Sequence, residues 1–210
     1  MGKYNRVLPR QLLHGPSVPV FRMAEQEYCE MKVDLELRHP EIEEQFRELP
    51  EAAEQIEALE RGKEFHKEAA SEAVPVPAED LPRMILSRQP FTLVEFPLRG
   101  HFGKLPLIGR ADALHFNGKG ASWIVEFKVV KGRPYVSEWV DAQLRLYGYL
   151  LKQDKTFDAQ QVFLVCVYVD AEVSKKIDAI DEDRAVRLVR MVCEETPESF
   201  TGHRTWKKKL

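Results

Sequence analysis

Residues 105–130 read LPLIGRADALHFNGKGASWIVEFKVV and predict two β-strands joined by a short turn. The turn falls at Asn117-Gly118, a dipeptide typical of hairpins. In the second strand, Glu126 and Lys128 share one face because side chains alternate along a strand. The strand is otherwise apolar, and burying unpaired charge is costly, so these two groups need partners or a function.

The flanking segments extend this hairpin into an α/β fold. Phe91–Leu98 predicts a preceding strand, and Ser137–Lys152 predicts a following helix. Gln161–Val169 is an almost wholly apolar run, typical of a strand covered on both faces. The order of three strands, a helix and a buried strand predicts a mixed central sheet flanked by helices.

A helical N-terminal part is expected over residues 20–73, interrupted near Pro40 because proline disfavours helix in the residue before it. After it, Val74–Pro77 predicts the start of a proline-containing loop. The second helical piece carries apolar residues at helical spacing, with glutamates on its other face. These apolar residues are Ile42, Phe46, Leu49, Ala52, Ala53, Ile56, Leu59 and Phe65.

The C-terminal part, residues 172–210, is expected to hold a helix that begins at about Glu172 or Ile180 and ends at Cys193. A basic tail follows it. With residues 91–170 as the α/β core, we predict a single domain over residues 1–210. Its 44% hydrophobic residues suffice for one well-packed core.

Charge and hydropathy exclude several classes of protein. There are 31 basic and 34 acidic residues, a net charge of −3, which argues against a general nucleic-acid-coating protein. A local basic groove remains compatible with that balance. Apolar runs are far shorter than the roughly 20 residues that span a bilayer. The N-terminus lacks the features of a secretory signal, so we expect a cytoplasmic protein without a membrane partner.

Asp112 lies in the first strand of the hairpin, where antiparallel pairing can bring it beside Glu126. Two carboxylates plus water suit Mg²⁺ or Mn²⁺. Lys128 on the same face can orient an attacking water and offset charge on a phosphate. An E-x-K triplet alone is expected about once by chance in such a chain, so the Glu126–Lys128 pair by itself also fits a structural ion pair.

Three further positions are candidates, each with a structural alternative. His66, in Arg61-Gly62-Lys63-Glu64-Phe65-His66, could be a ligand or an ordinary surface histidine. Gln143 and Tyr147 are four residues apart and project from one helical face. In the alternative, Tyr147 is core and Gln143 is exposed. Glu95, on the earlier strand, is interpreted as a surface glutamate, with a second carboxylate for the site as the other possibility.

Four motifs of this chain, taken in order, resemble the RecB-like branch of the PD-(D/E)xK phosphodiesterases. They are His66, Gly109-Arg110-Ala111-Asp112, Glu126-Phe127-Lys128 and the Gln143/Tyr147 helix. The resemblance implies a restriction-endonuclease-like fold and a metal-dependent DNA nuclease that hydrolyses phosphodiester bonds. It implies an exonuclease acting on DNA that is single-stranded or has frayed ends. The implied metal ligands are His66, Asp112, Glu126 and the main-chain carbonyl of Phe127. The implied catalytic residues are Asp112, Glu126, Lys128, Gln143 and Tyr147.

Within that branch, Val20–Cys29 resembles the opening segment of the CRISPR-associated Cas-four exonuclease family, whose cysteine there binds an iron–sulfur cluster. This implies a role in CRISPR spacer acquisition or DNA repair, with CRISPR adaptation proteins as partners. The family places three more cluster cysteines close together near its C-terminus. Here only Cys166 and Cys193 follow, in a predicted strand and a predicted helix. We therefore expect no cluster, unless a cysteine-bearing C-terminal segment lies beyond this sequence.

Two alternative functions stay open. The chain could be a DNA-processing accessory or docking subunit of a CRISPR integrase or helicase complex, with weak or no nuclease activity. Its glutamate-rich residues 41–72 and the basic tail Arg204–Lys209 would then be the docking surfaces. The same fold could also serve another DNA substrate, as in restriction or junction-cleaving relatives.

Overall fold

The computed structural model describes residues 5–7, 17–39, 41–71, 73–130, 137–157, 161–170 and 190–191. The strands are β1 (Asn5–Val7), β2 (Val18–Pro19), β3 (Val74–Val76), β4 (Phe91–Phe102), β5 (Leu105–Phe116), β6 (Ala121–Val130), β7 (Gln161–Asp170) and β8 (Arg190–Met191). The helices are α1 (Val20–Arg38), α2 (Glu41–Arg47), α3 (Ala53–Ser71), α4 (Leu81–Leu86) and α5 (Glu138–Gln153), with a 3-10 turn at Pro50–Ala52.

The strands form one mixed sheet in the order β3-β1-β4-β5-β6-β7-β8, and β2 pairs with β5 beside that path. β4, β5 and β6 are antiparallel neighbours, whereas β6 and β7 run parallel and are connected through α5. A parallel pair needs such a crossover because its strands enter the sheet from the same end. The predicted mixed central sheet flanked by helices is therefore confirmed.

Two turns set the register of the central strands. β4 and β5 pair as far as Phe102↔Leu105, so only Gly103 and Lys104 lie in their turn. Between β5 and β6, the Asn117 Oδ1 accepts the backbone N–H groups of Lys119 and Ala121, at 2.7 and 3.1 Å. An asparagine that bonds to the backbone two residues ahead closes a turn by itself. The turn predicted at Asn117-Gly118 is confirmed.

The core lies between the sheet and the helices α1 and α5. Its fully buried side chains include Met23, Leu93, Leu107, Leu114, Ile124, Leu146, Leu150, Leu151 and Leu164. Cys166 is also fully buried there, as expected for a cysteine that acts as a small core hydrophobe. Cys29 lies at a non-helical kink inside α1. Cys193 and residues 204–209 lie outside the described residues.

β4 is longer than predicted, because Gly100 does not interrupt it. A Cβ atom at Gly100 would lie 2.5 Å from Gln153 Oε1, so the glycine leaves room for the end of α5. The Gln153 side chain then accepts the N–H of His101 at 3.0 Å and donates to its carbonyl at 2.7 Å. Gly100 thus marks a close contact between helix and strand.

Two predictions are wrong for segments at the edges of the sheet. Val74–Val76 does not begin a loop but forms β3, which pairs with β1 at the end of the sheet order. An edge strand tolerates Pro75 because its missing N–H need not enter a ladder. Arg190 and Met191, predicted as helix, form β8 on β7. The rest of the predicted C-terminal helix lies outside the described residues.

The apolar stripe predicted on the second helical piece is only partly buried. Ala52 is fully buried, but Ile42, Leu49 and Leu59 are 39%, 50% and 61% exposed. Helical periodicity identifies an apolar face, whereas burial also requires a neighbouring element to cover that face. None of the helices in the described ranges is long and apolar enough to cross a membrane.

Candidate active site and metal centre

Asp112 and Glu126 lie side by side where β5 and β6 cease to pair. The antiparallel ladder runs as far as Ala113↔Val125, and these two carboxylates occupy the next opposed positions. The backbone N–H of Phe127 donates to Asp112 Oδ2 at 2.7 Å. The expected meeting of the two carboxylates is therefore present, and a backbone hydrogen bond holds one of them in place.

The Glu126 carboxylate is buried, at 4% exposure, and is held by a lysine and an amide. Its Oε1 accepts from Lys128 Nζ at 2.7 Å and from Gln143 Nε2 at 3.0 Å. The same Gln143 amide donates to the Tyr147 hydroxyl at 2.9 Å. Gln143 is itself buried, so the alternative in which it faces solvent does not hold.

A second group gathers beside Asp112. His66 Nδ1 on α3 lies 3.6 Å from Asp112 Oδ1 and 3.6 Å from Glu95 Oε1 on β4. One ligand atom from each of His66, Glu95 and Asp112 lies within 4.8 Å of the others. Among the described residues, this possible metal-binding group consists of His66, Glu95 and Asp112, whereas the sequence had suggested Glu126 as the third side-chain ligand. The implied roles of Glu126 and the Phe127 carbonyl as ligands stay predictions.

The interpretation of Glu95 as a surface residue is wrong. Its side chain is only 12% exposed, and its Oε2 accepts from Arg110 Nε at 2.8 Å. In the β4–β5 ladder, Glu95 and Asp112 fall between the pairs Val94↔Ala113 and Phe96↔Ala111, so they lie across from each other. Its backbone has a φ of +51°, which non-glycine residues seldom adopt outside functional or strained sites. The sequence signal was available, since Glu95 interrupts an apolar strand as Glu126 does.

Burial shapes the protonation of the site. It raises the pKa of Asp112 well above its usual range, and the neighbouring charge of Glu126 adds to the effect. Burial lowers the pKa of His66, which favours a neutral imidazole with a lone pair available for a ligand. Burial, reinforced by Glu126, raises the pKa of Tyr147, so its hydroxyl keeps its proton.

Gly109 brings α1, β5 and α5 close together next to Asp112. A Cβ atom at this position would lie 2.5 Å from Tyr147 Cε1 and 3.0 Å from Val20 Cγ2. The absence of a side chain at Gly109 therefore allows Tyr147 to pack against the strand that carries Asp112. This close approach accounts for the glycine of the Gly-Arg-Ala-Asp segment.

An open cleft of about 1020 Å³ leads to these groups. His66, Glu95, Asp112, Gln143 and Tyr147 are among its lining residues. Its lining also combines cations with apolar and aromatic side chains: Lys63, Lys67, Arg99, Arg110, Pro19, Val20, Phe21, Pro97 and Ile108. A substrate with negative charge and apolar faces fits such a lining.

Comparison with known protein families matches residues 20–207 to the PD-(D/E)XK nuclease superfamily. The chain belongs to this superfamily. The solved structure of SSO0001 is similar, with a TM-score of 0.49 and 19% sequence identity over 94% of this chain and 77% of that one. No curated protein sequence matches the chain.

PD-(D/E)XK nucleases use divalent metal ions, and the residues here fit such an ion. In the described part of the chain, Glu126 Oε2 is buried without a hydrogen-bond partner. A buried carboxylate oxygen that lacks a partner is costly unless a cation or donor satisfies it. Carboxylate oxygens and an imidazole nitrogen are ligands that Mg²⁺ or Mn²⁺ accepts. His66, Glu95 and Asp112 could hold the ion, with Glu126 beside them.

Asp112→Asn should stabilise the metal-free protein at neutral pH. With the pKa of folded Asp112 raised, the ionised carboxylate favours the unfolded state, and this cost grows as pH rises above about 4. Asparagine carries no charge, and its Oδ1 can still accept the Phe127 N–H. We expect Tm to rise by about 3–8 °C at pH 7 in EDTA, with the gain disappearing below about pH 4.

Thermal unfolding across pH measures this effect, with Asp80→Asn at the start of α4 as the control. Added Mn²⁺ should raise the Tm of the wild type but not of Asp112→Asn, because a ligand stabilises only the state that binds it. A variant that is less stable than wild type at every pH would contradict the predicted cost of the buried charge.

Gly109→Ala should destabilise the fold by about 1–3 kcal/mol, because the added methyl group collides with Tyr147 and Val20. The matched control is Gly62→Ala in α3, where no heavy atom lies within 4 Å of the new Cβ. That substitution should add about 0.4–1 kcal/mol of stability by reducing the freedom of the unfolded chain. Urea unfolding compares the two, and equal effects would show that Tyr147 does not pack against Gly109.

Proposed function

We propose that this chain is a metal-dependent deoxyribonuclease that hydrolyses phosphodiester bonds. The observation that carries the proposal is the gathering of five side chains, two of them neighbouring carboxylates. Lys128 and Gln143 both bond to the buried Glu126, and Asp112 lies beside it with His66 at 3.6 Å. A structural ion pair needs one carboxylate and one cation, whereas this arrangement keeps two carboxylates together, with Asp112 lining the cleft.

Each residue has a proposed role. His66, Asp112, Glu126 and the Phe127 carbonyl hold one divalent ion, and Glu95 supplies a further carboxylate at the same place. When bound, such an ion polarises a phosphate oxygen and lowers the pKa of a water molecule. Lys128 orients the attacking water and offsets the charge that builds on the phosphate. Gln143 and Tyr147 hold Glu126 in position and contact the DNA backbone.

The preferred substrate is proposed to be single-stranded DNA, attacked from its ends. Proteins that bind single strands combine a cationic groove with aromatic side chains on which bases stack. The lining of the cleft has both kinds of group, since Lys63 and Lys67 extend from α3 and Phe21 at the start of α1 is 45% exposed. A paired base has its faces covered by its neighbours, so Phe21 favours unpaired nucleotides.

The biological setting follows from the resemblance of Val20–Cys29 to the Cas-four exonucleases. We propose that the enzyme trims DNA in the cytoplasm during CRISPR spacer acquisition or DNA repair, in contact with CRISPR adaptation proteins. Cys29 would bind a cluster only together with cysteines beyond this sequence.

The alternative of a docking subunit with weak or no nuclease activity has one observation in its favour. Ile42, Leu49 and Leu59 expose apolar side chains on a glutamate-rich segment. Larger exposed apolar patches commonly mark contacts with other proteins. A chain that binds Mn²⁺ through Asp112 yet cleaves no DNA would favour this alternative over the enzyme.

Wild-type protein should degrade a labelled single-stranded oligonucleotide with Mg²⁺ or Mn²⁺ and not with EDTA. Lys128→Ala should lower the rate by at least about 100-fold, because it removes a cation that stabilises charge in the transition state. The control is Lys119→Ala, an exposed lysine in the β5–β6 turn, which should cleave at the wild-type rate. Equal rates for wild type and Lys128→Ala would refute the assignment.

A circular single strand tests whether the enzyme needs an end. Exonuclease action leaves the circle intact while the linear form of the same sequence is degraded. Cleavage of the circle would exclude the proposal that the enzyme is an exonuclease, but it would still support nuclease activity.

Phe21→Ala should weaken binding of a short single strand by about tenfold, because base stacking on an aromatic ring contributes on the order of 1–3 kcal/mol per base. Fluorescence anisotropy with Ca²⁺ in place of Mg²⁺ measures binding without cleavage. The control Leu86→Ala removes an apolar side chain from α4, outside the cleft, that is 80% exposed against 45% for Phe21. An abasic oligonucleotide should bind wild type and Phe21→Ala equally, and a persistent difference would rule out stacking.

A further inference from the structure

Lys128 has a second contact besides Glu126. Its Nζ lies 4.8 Å from the centroid of the Trp139 ring. Trp139 is in the first turn of α5 and packs, half-buried, against the hydrophobic core. The ammonium group thus lies between a carboxylate at 2.7 Å and the face of an indole.

Trp139 belongs to the same helical face as the two residues already assigned to the site. Trp139, Gln143 and Tyr147 follow one another at intervals of four residues, which places them in a row along α5. Trp139 meets Lys128, Gln143 meets Glu126, and Tyr147 meets Gln143. One face of α5 therefore contacts both charged residues of the E-x-K triplet.

We infer that Trp139 is a positioning residue for Lys128. Its indole face holds the ammonium group of Lys128 in the orientation needed for reaction before substrate binds. A lysine side chain has four rotatable bonds and loses much conformational freedom when fixed. The ring restricts that freedom through a cation–π attraction, which is strongest for tryptophan among the aromatic residues.

The indole face suits this task better than a second carboxylate would. An ammonium group has three N–H donors, and a cation–π contact uses none of them in a conventional hydrogen bond. A second carboxylate near Lys128 would compete with a phosphate for those donors and repel it. Trp139 can therefore hold the cation in place while leaving the donors that Glu126 does not use available for water or phosphate oxygen.

This inference rests on the proposed nuclease function, because the effect is exerted through Lys128. Trp139, like Lys128, is absent from the described residues that line the cleft, and its contact is with Lys128, so it is expected to act through that lysine on the chemical step and not on the binding of DNA. Removing the aromatic ring should lower kcat by about threefold to thirtyfold with KM little changed, the range expected for one cation–π contact.

The test compares Trp139→Phe and Trp139→Leu in steady-state cleavage of a single-stranded oligonucleotide with saturating Mn²⁺. Phenylalanine keeps a ring and should retain more of kcat than leucine does. Because both changes also alter core packing, a second series replaces Trp139 alone with fluorinated tryptophans, which keep the shape and weaken the negative face of the ring. Log kcat should fall steadily with each added fluorine.

Lys128→Ala provides the control background, in which the fluorinated residues should no longer change the residual rate. A wild type that cleaves DNA, combined with a kcat independent of fluorination, would overturn the role of Trp139 and leave the nuclease proposal standing. A wild type that cleaves no DNA under any metal condition would instead overturn the nuclease proposal. In that case the inference falls with it.

Discussion

The carboxylate of Glu126 is buried among apolar side chains, and only Lys128 and Gln143 donate hydrogen bonds to it in the described structure. An ionised group in such a place costs several kcal/mol unless partners replace the lost water. The partners come from two directions, Lys128 from the same strand and Gln143 from α5. The hydrogen bond from Gln143 to Glu126 therefore helps to fix the position of α5 relative to β6.

Several costly features accumulate around that carboxylate. Asp112 has a raised pKa, Glu95 adopts a positive φ, and Gly109 gives up a side chain so that Tyr147 can approach. The first two lower the stability of the metal-free fold, and the apolar core between the sheet and α1 and α5 has to offset them, whereas the glycine leaves no room for a larger residue. Such a concentration of unfavourable terms is typical of sites built to bind or react.

Local rules were sufficient for the centre of the fold. The alternation of WIVEFKVV and the Asn117-Gly118 turn predicted the β5–β6 hairpin, because these preferences act between residues close in sequence. The four-residue spacing of Gln143 and Tyr147 placed them on one helical face. Predictions failed where a distant partner decides the outcome. Val74–Val76 is a strand only because Asn5–Val7 offers it an edge, and Leu59 is exposed because no described element covers it.

The sequence by itself determined the order of the strands at the centre of the fold, the meeting of Asp112 with Glu126, and the superfamily to which the motifs belong. Only the tertiary structure decided that Glu95 joins His66 and Asp112, and that Trp139 lies against Lys128. The reason is distance along the chain. His66 and Glu95 are far apart in sequence, and no local preference specifies their distance. It is set by the docking of α3 near β4, which depends on how the whole molecule packs.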